Sequence, residues 1–228
     1  MAGHDRDEVL RYLGRRGQSV PPELDALVAD CMAELDGKAA PRKVCAMLPL
    51  RPEPGGLRVG GTALLLPGAD IRRHVRGCNE AVLFAATLGV GVDNLIRRWS
   101  YTDLTRSVVL DACATEAIEA FCDEAEADLR RQLAERGQGL TSRFSPGYGD
   151  LPLDVQPLLL SVLDAPRRIG LTCTERHILL PRKSVTAVLG VGAAAETSAR
   201  GCRSCARRGT CNFRKDDGDD GCACLPQG

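Results

Sequence analysis

The chain has 228 residues, and its 30 Lys plus Arg match its 30 Asp plus Glu, so it lacks the basic footprint of a nucleic-acid binder. Its length allows a buried core in one or two domains, and no apolar run approaches the roughly 20 residues of a membrane span. Residues 1–7 have no apolar signal-peptide core, so the expected location is the cytoplasm, where the 11 cysteines should be thiols or metal ligands rather than disulfides.

Residues 6–16 read as a short helix with Val9, Leu10 and Leu13 on one side. Pro21 and Pro22 open a second helix, where the first N–H groups have no partner to lose. Leu24, Leu27, Val28, Cys31, Met32 and Leu35 recur at three- and four-residue steps before Gly37 ends it. Strand-like runs follow at 44–50, 57–59 and 62–66, with a Pro/Gly-rich turn over 51–56. Asp70 is a candidate cap for a helix through Ile71 and Val75, and 80–88 is apolar enough for a buried strand. Helices are then expected over 91–100 and 103–135, the second capped by Thr102 or Asp103 and about 50 Å long. Leu110, Ala114, Ala117, Phe121, Ala125, Leu129 and Leu133 step down its length, several of them small enough for close packing, which makes it the expected spine of the fold.

The stretch Arg143-Phe144-Ser145-Pro146-Gly147-Tyr148-Gly149-Asp150 follows. It holds one cation, one phenol, a φ-fixing proline and two glycines, a composition that can present backbone polar groups in a defined shape to a small polar ligand. A plain helix-to-helix turn, with Arg143 solvated and Tyr148 on the core, is the alternative from composition. Beyond it a helix over 154–163, short strands at 169–171 and 177–180 and a longer strand at 184–191 are expected. Residues 193–200 turn small and polar and read as a linker to a tail without core-forming residues.

Arg-x-x-Pro-Gly-Tyr after a long helix, then Leu171-Thr172-Cys173-Thr174-Glu175 and Pro181-Arg182-Lys183-Ser184-Val185-Thr186, resembles the activation domain of cobalamin-dependent methionine synthase over roughly residues 80–192. The run Glu8-Val9-Leu10-Arg11-Tyr12-Leu13-Gly14-Arg15-Arg16-Gly17 resembles the start of short, free-standing members of that family. The resemblance implies an α+β fold, a bent antiparallel sheet packed with long helices, over residues 1–192. It also implies that the loop binds S-adenosylmethionine. Arg143 would then bond the ligand carboxylate, the Ser145 carbonyl and the N–H near Gly147 would read the adenine edge, and Tyr148 would lie between nucleotide and corrin. Glu119 matches a family acid that helps hold the ligand, though Glu116, Asp123 and Glu126 share its helical side, which also fits a solvated face.

The function so implied is reductive methylation of cob(II)alamin on a separate methionine synthase or related corrinoid methyltransferase, with an external electron donor. The chain supplies positioning and exclusion of water. Two departures stand out: the family's second acid has no aligned counterpart in the N-terminal third, and its tyrosine near the last strand is missing, since the tyrosines here are Tyr12, Tyr101 and Tyr148. His74-Val75-Arg76-Gly77 imitates the end of a cobalt-ligating loop, but Arg72 stands where that motif has aspartate, so His74 reads as a surface helix residue. His177 reads as a satisfied core histidine.

Cys202, Cys205, Cys211, Cys222 and Cys224 fall within 23 residues, a density that points to a metal site on residues 193–228, with Cys202, Cys205, Cys211 and Cys222 as its ligands. An iron–sulfur cluster, structural zinc and a metal-free redox tail all remain open. The other cysteines mostly fall in apolar runs and read as core filler. A metal- or iron–sulfur-dependent redox or docking protein that keeps the fold without binding S-adenosylmethionine is the alternative function.

Overall fold

The computed structural model describes residues 5–15 and 19–193. The central strand is β4 (Glu80–Thr87), whose apolar run is buried almost from end to end. Because strand side chains alternate, Val82, Phe84 and Ala86 enter one hydrophobic cluster while Ala81, Leu83 and Ala85 enter another on the opposite face. A strand apolar on both faces needs cover on both, and it has it.

On one side lie α1 (Arg6–Tyr12), α2 (Pro22–Asp36), α4 (Val90–Ser100) and the 31-residue α5 (Leu104–Ala134). The expected spine is therefore present: α1, α2 and α4 all pack on α5, where Ala112, Ala114, Ala117 and Ala125 let their backbones approach. Asp103 caps α5 by accepting from the Arg106 N–H at 2.9 Å, and Pro22 opens α2. The other side carries α3 (Ala69–His74), α6 (Gln156–Val162), entered through a 3-10 turn at Leu153–Val155, and α7 (Ala165–Ile169).

The sheet has six strands in the order β3-β2-β1-β4-β8-β5, comprising β1 (Arg42–Glu53), β2 (Gly56–Val59), β3 (Leu65–Leu66), β5 (Gly139–Leu140) and β8 (Ser184–Gly192) around β4. All its pairings are antiparallel. A separate hairpin joins β6 (Thr172–Cys173) to β7 (Leu179–Leu180). The α+β expectation of an antiparallel sheet packed with long helices holds.

Several local expectations change. The first helix ends at Tyr12 rather than at 16, closed by a turn at Leu13 and Gly14. The strand expected over 62–66 shrinks to Leu65–Leu66, because the Thr62 hydroxyl donates to the Val59 carbonyl and accepts from the Leu64 N–H, tying residues 59–64 into a turn. The strand expected at 169–171 is replaced by the end of α7, which opens with Pro166 and stops at Gly170 in a left-handed conformation. His177 is also left-handed, at φ 62°, in the turn between β6 and β7, so the strand there is limited to Leu179–Leu180. It is not a satisfied core histidine either, since its buried Nδ1 has no hydrogen-bond partner. Of the cysteines outside the tail, Cys31, Cys113 and Cys122 are buried as expected, but Cys45 is exposed.

Candidate functional site

The last residues of the edge strand β5 set up the site. Beyond Leu140 the Thr141 N–H donates to the Gly190 carbonyl, and the Thr141 hydroxyl accepts from the Gly190 N–H at 2.8 Å. The chain rejoins the β8 edge at Phe144, which exchanges both backbone hydrogen bonds with Val188. Phe144 packs into the cluster shared by α3, α6 and α7. Its neighbour Arg143 is held on α5.

Arg143 is not solvated. Its side chain is 3% exposed, and its Nη2 donates to Glu119 at 2.9 Å and to Asp123 at 2.7 Å. Nη1 lies 3.4 Å from Glu126. Burial alone would lower the Arg143 pKa, but the thiol of Cys122 and the carboxylates of Glu119, Asp123 and Glu126 outweigh it, so the guanidinium stays charged. Residues 119, 123 and 126 fall on one face of a helix, and their spacing was the available signal that all three converge on one partner.

That face is not simply solvated. Glu116 is buried and accepts from the Asp5 N–H at 3.1 Å, tying the start of α1 to α5. Tyr12 of α1 lies beside Glu119: burial, and then the Glu119 charge, push its phenol above the usual range. Glu119 is one-third exposed and Asp123 about two-thirds, so the cluster opens to water on the Asp123 side. Glu126 also pairs with Arg130 at 2.7 Å, so among the described residues three carboxylates face two guanidiniums, a surplus of one negative charge.

The bend after Arg143 is open. Gly147, Gly149 and Asp150 are exposed while Pro146 is buried. The Ser145 carbonyl accepts from the Tyr148 N–H at 3.0 Å, which leaves one lone pair for another donor. The Gly147 N–H is already committed to the Leu151 carbonyl at 2.8 Å. Tyr148 meets Phe144 edge-on, with ring centroids 6.1 Å apart, and Phe144 in turn lies against His74 at 5.0 Å.

His74 is therefore part-buried rather than a free surface residue, and its Nε2 donates to the Ser142 carbonyl at 2.7 Å. Asp70 does not cap α3. Gly68 occupies the cap position, and Asp150 takes over the capping by accepting from the N–H groups of Ala69 at 2.6 Å and Asp70 at 3.0 Å. The structure thus brings together Glu119 and Arg143, and strings Ser145, Gly147 and Tyr148 along the exposed bend beyond them. Asp123, Glu126, His74 and Asp150 belong to the same surroundings. Cys202, Cys205, Cys211 and Cys222 lie outside the described residues, among which no cluster of His, Cys, Asp or Glu could hold a metal ion. No helix among them is long and apolar enough to cross a membrane.

An antiparallel sheet with a long spine helix on one face and short helices on the other defines an α+β domain. The fold is similar to that in the crystal structure of the MetH reactivation domain bound to AdoHcy, with a TM-score of 0.57 and 18% sequence identity, over 83% of this chain and 70% of that one. No protein-family model matches the chain. No curated protein matches it significantly.

Proposed function

We propose that residues 1–192 form a module that binds S-adenosylmethionine along the Arg143–Tyr148 bend and reactivates a separate cobalamin-dependent methionine synthase or related corrinoid methyltransferase. The reaction takes one electron from a separate donor and a methyl group from S-adenosylmethionine, and leaves methylcobalamin and S-adenosylhomocysteine. The chain's part is to hold the methyl donor in place and keep water out.

The observation that carries this reading is the Arg143–Glu119–Asp123 cluster at the head of an open glycine bend, in a fold shared with a domain that binds AdoHcy. A buried cation already paired with acids is a poor trap for a simple anion, which would meet their repulsion. A zwitterion suits it better. The α-carboxylate of an amino acid can take up the guanidinium while its ammonium takes up Glu119 and Asp123, so no buried charge is left alone. The amino-acid end of S-adenosylmethionine has that pattern, and its sulfonium adds a cation where the cluster has negative charge to spare.

Further along, the spare lone pair on the Ser145 carbonyl can accept from the adenine amino group. Gly147 serves by its shape, its φ of 91° turning the chain where a side chain would crowd Leu153. Tyr148 offers a ring face toward the corrin of the partner. The tail, residues 193–228, would carry an iron–sulfur cluster or zinc on Cys202, Cys205, Cys211 and Cys222, a cluster there serving to pass the electron.

Calorimetric titration with S-adenosylmethionine tests the core of this reading. The expected result is micromolar-range binding that survives removal of residues 200–228 and is strongly weakened by Glu119→Gln. A wild-type protein that releases no heat and retains no ligand would end it. Visible spectra and metal content of anaerobically purified protein test the tail, where a colourless protein with stoichiometric zinc would remove the electron-passing role.

A further inference from the structure

The bend is tied to α3 at both of that helix's ends, by groups far away in sequence. At the N-terminal end, the Asp150 carboxylate accepts from the N–H groups of Ala69 and Asp70, across 81 and 80 residues of chain. These two bonds hold the Asp150 carboxyl below the usual carboxylate range. At the C-terminal end, the His74 ring donates to the Ser142 carbonyl and lies against Phe144. A carbonyl oxygen can only accept, so Nε2 carries the proton in this contact.

The fit at the first end is tight on both segments. A side chain at Gly68 would run into the Asp150 carboxylate, and one at Gly149 would run into Asp70. Both glycines also have positive φ, 115° and 52°, so two neighbouring positions exclude other residues for steric and for conformational reasons. The helix itself is anchored to the sheet, because Ile71 is fully buried and Val75 nearly so. An element fixed to the core thus grips an exposed bend before and after its glycines.

We infer that α3 is a splint for the ligand loop, and that Asp150 and His74 are positioning residues that hold the bend between Ser142 and Asp150 in its ligand-ready shape. They need not touch the ligand. Their contribution is to spare binding the entropy of ordering nine residues, most of which have no regular structure of their own. This deepens the proposed function and rests on it only for the ligand, since the splinting itself exists in the free protein.

The experiment combines amide hydrogen exchange on ligand-free protein with calorimetric titration of S-adenosylmethionine, for wild type, Asp150→Ala, Asp150→Asn and His74→Ala. Splinting predicts faster exchange at Gly147, Tyr148 and Leu151 in Asp150→Ala and His74→Ala, with β4 amides unchanged. It also predicts about tenfold weaker binding, the size expected from losing a helix cap. Asp150→Asn keeps an accepting oxygen and should recover part of both. Loop exchange at the wild-type rate in both alanine variants would overturn the inference, as would a rise spread equally over the loop and β4, which marks a general loss of stability. A wild type that binds no S-adenosylmethionine defeats the proposed function, and the exchange measurement still decides the splint.

Discussion

The Nη2 of Arg143 lies 2.7 Å from Asp123, so a guanidinium that is 3% exposed shares its charge with an acid that is 65% exposed. The two ends of this pair stand in different media, and substitutions at them should differ accordingly. Arg143→Ala takes away one of the guanidiniums paired with the largely buried Glu126, leaving Arg130 on it, and should cost about 3 kcal/mol of stability. Asp123→Asn leaves Glu119 and Glu126 on the guanidinium and should cost under about 1 kcal/mol, as for a solvent-screened pair. Urea denaturation of the two variants checks this ordering, and equal losses would contradict it.

Asp150 gives a pH signature. Its folded-state pKa is depressed by the N–H groups of Asp70 and Ala69, so the stability it contributes is fully present above the unfolded value of about 3.9 and is lost as pH falls through the lower folded value. The melting temperature of Asp150→Asn relative to wild type should therefore be offset by a constant amount from pH 7 to 5. The offset should shrink below about pH 4. An offset that already shrinks near neutrality would point to a different group.

The thiols divide by burial. Burial pushes Cys31 up to about 11 and Cys113 up to about 12, so at pH 8 neither offers appreciable thiolate. Among the described cysteines, brief alkylation of the native protein followed by mass spectrometry should modify the exposed Cys45 first and spare Cys31 and Cys113. Rapid labelling of Cys113 would mean that the contact between α2 and α5 opens readily.

Gly190 of β8 has no room for a methyl group. A Cβ there would stand 2.6 Å from the Cys78 sulfur and 3.0 Å from the Val75 Cβ. Gly190→Ala should cost about 1–3 kcal/mol by overpacking, measured by thermal or urea unfolding. Pairing it with Cys78→Ala should recover part of the loss, because the sulfur is the closest obstacle.

The parts of the fold that could be read from the sequence were those with a local cause. The apolar run at 80–88, the stepped small residues of α5, Pro22 and Asp103 each act within a few residues of themselves, and each appears where expected. The errors had distant or competing causes. Asp70 looked like a cap because it precedes Ile71, but the oxygen that satisfies that helix comes from residue 150. His74 looked exposed because its partners, Ser142 and Phe144, are some seventy residues away in the chain. The short edge strand Gly139–Leu140 has no periodic pattern and exists only because Val191 and Gly192 lie opposite it. In the candidate site, Arg143 and Glu119 could be singled out through a motif, whereas the pairing of Arg143 with Asp123 and Glu126 depends on how α5 lies across β8.

The bridge from Asp150 back to residues 69 and 70 means that the bend's architecture is completed by a region encoded well upstream of the recognisable motif. An excised peptide or a graft spanning only residues 80–192 would carry every letter of Arg-x-x-Pro-Gly-Tyr and still arrive without the scaffold that gives those letters their form. Transplanting this bend into another host therefore calls for the small helix to travel with it.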